Sequence, residues 1–174
     1  MKKLILGNPT EGYNNPNLDN VEITASNKLL EELDVRNMSN LTGDIPITPI
    51  SSLRKLYAQG TNYQTVQFAN SGLIEEAYLP TSINKIVANN LYYLHTLQLE
   101  SYDNLQSLLI NNCPKIAANG DDLAIVQKAS NLKRVRLTNL NWNLATADIL
   151  NKLVKCTGIG EDNITEVEQS VLTG

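Results

Sequence analysis

The nine residues "LQSLLINNC", Leu105 to Cys113, place apolar side chains at the first, fourth, sixth and ninth positions, L-x-x-L-x-L-x-x-C. Leu108 and Ile110 alternate with polar or less constrained neighbours, the period of two that turns one face of a strand into a core. Taken alone, the phrase is one buried strand. Repeated along the chain, it is an architecture.

It does repeat. "LLEELDVRNM" from Leu30 sets Leu33 and Val35 at the fourth and sixth places, and "TGDIPITPI" from Thr42 sets Ile45 and Ile47 there. "LRKLYAQGT" from Leu53 supplies Leu56 and Ala58, and "YQTVQFANS" from Tyr63 supplies Val66 and Phe68. "IEEAYLPTS" from Ile74, "INKIVANNL" from Ile83 and "LHTLQLESY" from Leu94 lead into Leu105. These starts lie 9 to 12 residues apart. Further copies begin at Met1, Leu18 and Leu132. Between them stand turn formers, among them Asn37, Gly43, Gly60, Gly72, Pro80, Asn90 and Asn112. A strand and a turn in every ten or eleven residues, without helices, predicts a β-solenoid with two short strands per coil of about 21 residues.

The phrase resembles the signature half of a leucine-rich repeat, L-x-x-L-x-L-x-x-N/C, with Cys113 in the closing place. Its nested eleven-residue spacing is similar to the irregular bacterial leucine-rich repeats, in which both halves of a repeat look like strands. The resemblance spans roughly residues 1 to 142 and implies a right-handed solenoid, mostly β with some α. The ninth place departs from that family, holding Met38, Ile50, Thr61, Ser71, Ser82, Leu91 and Tyr102. No continuous asparagine ladder is therefore expected there.

Two segments interrupt the rhythm. Gly7 to Asn17 is a polar Pro/Gly/Asn insertion. Asp121 to Asn131 has Leu123, Val126 and Ala129 at helical spacing behind an acidic start. Residues 143–174 are expected to close the stack. Thr146 is an N-cap candidate, Ile149, Leu150, Leu153 and Val154 form an apolar stripe, and Gly158 is the stop. A solenoid must cover its last open coil, which is the role expected of this helix. The tail beyond it carries strand-like Val171 and Leu172.

Composition narrows the function classes. A net charge of −4 and a pI near 5.0 oppose general nucleic-acid binding, which needs a basic face. Lys133, Arg134 and Arg136 form only a local basic cluster. No apolar run reaches the roughly 20 residues of a membrane span, so no membrane insertion is expected. The run Leu4 to Leu6 is too short for the roughly 7 to 15 residues of a signal-peptide core. The chain reads as part of a longer protein at a virion or cell surface. Cys113 and Cys156 are too few for a disulfide framework and sit where small apolar residues would serve.

Chemistry has little to work with. His95 is the single histidine, at an outward strand position, with neither cysteine near it in sequence. One His and two separated Cys have no zinc-ligand spacing. The acidic and asparagine-rich loops lack the ordered alternation of a calcium loop, and no phosphate-binding glycine motif occurs. No enzymatic activity, cofactor or metal is expected.

The exposed columns of the repeat remain. One strand set aligns Asp34, Tyr57, Tyr78 and Gln98 at the middle outward place, and the reading extends this column to Arg136. It is flanked by Glu31 and Glu32, Arg54 and Lys55, Glu75 and Glu76, His95 and Thr96, then Lys133 and Arg134. The other set aligns Glu22, Pro46, Gln67, Val87 and Leu109. Tyr57 and Tyr78, about 5 Å apart at normal strand spacing, would form an aromatic patch edged by charge, a composition favoured at binding hot spots. The resemblance to repeats in long structural or surface proteins of bacteria and their phages, carried also by "LESYDNLQSLLINNCP" and "ASNLKRVRL", implies a non-catalytic recognition or adhesion module with a protein or glycan partner. The alternative is a structural spacer or assembly element that packs against neighbouring subunits of a virion, tail or surface fibre.

Overall fold

The structure is a computed structural model that describes residues 1–7, 15, 17–69, 71–116, 129 and 131–137, and the backbone of 138 and 164–167. Its strands are β1 (Lys3–Ile5), β2 (Glu32–Asp34), β3 (Thr42–Asp44), β4 (Lys55–Tyr57), β5 (Asn62–Phe68), β6 (Glu76–Leu79), β7 (Lys85–Asn89), β8 (Thr96–Leu99), β9 (Ser107–Asn111), β10 (Arg134–Thr138) and β11 (Ile164–Val167). Alternate strands build two parallel sheets: sheet A in the order β1-β2-β4-β6-β8, and sheet B in the order β11-β10-β9-β7-β5-β3. The chain is a β-solenoid. From β2 to β9 successive strands alternate between the sheets, one strand of each coil in each, so over that stretch the two strand sets read from the repeat are the two sheets.

The fourth and sixth places of the repeat are the core. Leu33, Leu56, Ala77 and Leu97 line the inner face of sheet A, while Val66, Ile86, Leu108 and Val135 line that of sheet B, all of them buried. Neighbours along the stack are also neighbours in the ladder: Leu33 pairs with Leu56 and then Ala77, and Val66 with Ile86, Leu108 and Val135. The first place is buried too, at Leu30, Leu53, Ile74, Leu94, Tyr63, Ile83, Leu105 and Leu132. Apolar residues at the same place in successive coils thus stack as continuous columns, and burial of that surface is the main force holding coil to coil.

The ninth place faces inward at the corners. Where it is polar, its hydroxyl donates to a carbonyl. Thr61 Oγ1 donates to Ala58 O at 2.8 Å, Ser71 Oγ to Ile50 O at 3.4 Å, and Ser82 Oγ to Tyr63 O at 2.5 Å. Asparagine rungs form instead one turn further on: Asn62 Nδ2 donates to Ser39 O at 2.6 Å, Asn104 Nδ2 to Thr81 O at 3.0 Å, and Asn131 Nδ2 to Asp103 O at 2.6 Å. Each asparagine rung satisfies an exposed turn carbonyl of one coil from the next and so ties neighbouring coils at the surface.

The phrase from Thr42 is shifted. Thr42 is exposed and Leu41 occupies the buried first place, while the ladder covers 42–44 and stops before Ile45 and Ile47. Pro46 has no N–H to donate, so it ends the strand while Ile45 and Ile47 stay in the core. Val21 and Ile23 are likewise buried, without forming a strand. The chain passes tightly at Gly7, where a Cβ would collide with the Arg36 backbone.

The described residues contain strands and turns but no helix. The helices expected at Asp121–Asn131 and after Thr146 fall almost entirely outside the described residues, as does most of the Gly7–Asn17 insertion. Next to β10 stands β11, in parallel register with Val135 opposite Ile164 and Leu137 opposite Val167. The tail therefore contributes a strand earlier than Val171 and Leu172. Its local sequence, Ile-Thr-Glu-Val, is rich in the β-branched residues that suit a ladder.

Candidate functional site

Strand alternation puts Asp34, Tyr57, Tyr78 and Gln98 on the outer face of sheet A, and the ladder aligns them in one column that begins at Ile5. The rings of Tyr57 and Tyr78 are stacked, with centroids 5.3 Å apart and planes within 4°. Arg36, two residues after Asp34, lays its guanidinium over Tyr57 at 5.0 Å from the ring centroid. Tyr57 thus lies between Arg36 of the preceding coil and Tyr78 of the next, and both rings are half-buried.

Asp34 behaves unlike the outward carboxylate expected from its strand position. It is only 3% exposed. Its oxygens accept two hydrogen bonds from Arg36 Nε, at 3.0 and 3.1 Å, one from Arg36 Nη2 at 2.5 Å, and one from the Arg36 backbone N–H. Arg36 caps the carboxylate and is held by it, which raises the guanidinium pKa further. The site therefore offers Arg36, not Asp34, beside the tyrosines. Arg36 sits in the turn just after β2, two residues beyond Asp34, and that short spacing is the sequence signal for this pair.

Charges on the flanks alternate from coil to coil. Lys3, Glu32, Lys55, Glu76 and Thr96 are consecutive ladder partners. Lys3 pairs with Glu32 at 2.8 Å and Lys55 with Glu76 at 3.1 Å. One residue earlier, Lys2 pairs with Glu31 at 2.9 Å and Arg54 with Glu75 at 2.6 Å. Hydrogen bonding to Glu76 raises the Lys55 pKa, and hydrogen bonding from Lys2 lowers that of Glu31. The Tyr78 hydroxyl lies 3.3 Å from Glu76 Oε2; burial first, and then the Glu76 charge, raise its pKa and keep it a neutral donor. Along the stack the face reads plus, minus, plus, minus.

Arg136 does not belong to this column. It pairs with Leu109 in sheet B, continuing the line Gln67, Val87, Leu109. The stretch after Cys113 returns the chain to the same sheet, since β10 lies directly beside β9, and that shifts the alternation of sheets by one half-coil. Gln98 remains in the column and is exposed.

Among the described residues, no group of three or more His, Cys, Asp or Glu could hold a metal ion, and no helix is long and apolar enough to cross a membrane. His95 is exposed, with Nδ1 2.9 Å from Thr96 Oγ1. Cys113 is buried and unbridged, and desolvation pushes its thiol pKa up to about 11. A second aromatic patch was not legible in the repeat: Tyr92 and Tyr93, at a corner between sheets, are exposed. Asn112 Nδ2 donates to Tyr92 Oη and to Asn90 Oδ1, both at 2.8 Å, and Lys115 lies over Tyr93 at 5.3 Å. Compared with protein-family models, with curated proteins and with solved structures, the chain matches none.

Proposed function

We propose that this protein is a non-catalytic recognition module whose contact face is the outer surface of sheet A, within a bacterial surface or phage structural protein. The single observation that carries the reading is the stacked Tyr57–Tyr78 pair. Rings already fixed by Arg36 and by each other lose little rotamer entropy on binding, which is what makes such residues effective hot spots. Because Tyr57 has both ring faces occupied, it presents an edge and a hydroxyl. That geometry suits a protein surface better than a sugar ring, which stacks on an open aromatic face. The solenoid is read as an irregular leucine-rich repeat, on the motif around Leu105–Cys113, with the right-handed crossover usual for parallel strands.

A second reading is favoured by a different observation. Apart from Asp34–Arg36, the ion pairs among the described residues of sheet A link adjacent coils, which also suits a spacer that must resist unstacking. Partner capture on the immobilised domain separates the two. Tyr57→Ala and Tyr78→Ala are each expected to weaken binding by more than about 1 kcal/mol, while Gln67→Ala on sheet B leaves it unchanged. Equal binding by all variants, with only the tyrosine variants melting earlier, would reduce the stack to packing. A glycan array run alongside covers the alternative ligand class.

A further inference from the structure

The alternating charge rows have a symmetry beyond their pairing within one chain. Taking the rows in order, Lys2 and Lys3 are followed by Glu31 and Glu32, then Arg54 and Lys55, then Glu75 and Glu76. A two-fold axis parallel to the strands, passing between the second and third rows, reverses the order of coils and keeps each column in place. It sets Lys2 and Lys3 of one copy against Glu75 and Glu76 of the other, and Glu31 and Glu32 against Arg54 and Lys55. The same operation sets Ile5, which is 59% exposed, against Tyr78, and Asp34, capped by Arg36, against Tyr57. The other in-plane axis, along the stack, would set every row against its own sign. The pattern is thus its own complement in one orientation and repels itself in the other.

We propose that sheet A docks face to face on sheet A of a second copy, with the two stacks antiparallel. This names the partner of the face described above, and it rests on that face being a recognition surface. Isologous contacts of this kind need self-complementarity, which the rows supply. Four rows at about 4.8 Å spacing make a footprint well below the roughly 800 Å² per partner of a standard interface. The association is therefore weak, reversible and strongly salt-dependent.

Sedimentation of the full chain tests this, at about 0.01 M and about 1 M salt, where the Debye length falls from about 30 Å to about 3 Å. The wild type should self-associate at low salt and at least tenfold less at high salt. Lys2→Glu/Lys3→Glu and Glu75→Lys/Glu76→Lys should each lose self-association at least tenfold, because like rows then meet. An equimolar mixture of the two double variants should restore dimers, since each supplies the sign the other lacks. If either variant melts early, Lys2→Gln/Lys3→Gln takes its place, with self-association expected to fall at least threefold. A wild type that stays monomeric at the highest attainable concentration, variants that associate like wild type, or a mixture without rescue each overturn the proposal. A monomeric wild type whose capture of another protein is still weakened by Tyr78→Ala would leave the recognition reading standing and remove only the second copy as partner.

Discussion

Replacing Leu108 with alanine removes three carbons from a side chain that is 1% exposed and lies in β9 between Ile86 and Val135. At about 0.8 kcal/mol per buried carbon, the transfer loss is roughly 2.4 kcal/mol. The unfilled cavity adds to it, for a total of about 3 to 4 kcal/mol, inside the range of about 2.7 to 5 for buried leucines. Relaxation is restricted because both strands flanking β9 are held in register by full ladders. The loss should also be uneven. In a solenoid each coil is stabilised by its neighbours, so weakening the β7–β9–β10 column loosens the coils beyond it first. Urea unfolding followed by circular dichroism measures the total, and hydrogen exchange locates it: β10 amides should lose protection before those of β4 and β6. A change below about 0.5 kcal/mol, the size expected of an indifferent surface site, would refute the assignment of Leu108 to the core column. Uniform loss of protection would refute the coil-by-coil account.

Three further outcomes follow from the same geometry. Ending the chain at Trp142 removes β11 and bares the edge of β10, so dimers or aggregates are expected on size-exclusion chromatography; a well-behaved monomer would show that this edge needs no cover. Burial raises the Tyr63 pKa from 10.0 to about 12, so the fold favours the neutral phenol. That contribution is complete below pH 10 and is lost as pH rises from 10 towards about 12, and Tyr63→Phe should shrink the alkaline drop in melting temperature. Cys113, with its thiol pushed up to about 11 and buried, should react with a thiol reagent in the Cys156→Ser background only as fast as the protein opens, and rapid labelling of the native state would contradict its placement.

How far the sequence reaches follows from the range of each interaction. The inward places of the repeat, the division into two strand sets and the alignment of Tyr57 with Tyr78 were legible because strand alternation is local and the spacing near 21 residues brings each coil back over the last. The first place of the Thr42 phrase lies one residue earlier than its spacing predicts: the ladder shifts register between Gly43 and Asp44, with Gly43 at φ 80°, an irregularity that only the pairing of β3 with β5 reveals. Arg136 was assigned to the wrong sheet because a stretch without the repeat hides how many half-coils it occupies; only the pairing of β10 with β9 settles that. The sequence also makes Asp34 an outward carboxylate, and the tertiary structure buries it under Arg36. The glutamates and basic residues were visible as flanking pairs, but their alternation became a property of the face only once the coils were in register, because opposite charges 21 or more residues apart meet through stacking alone.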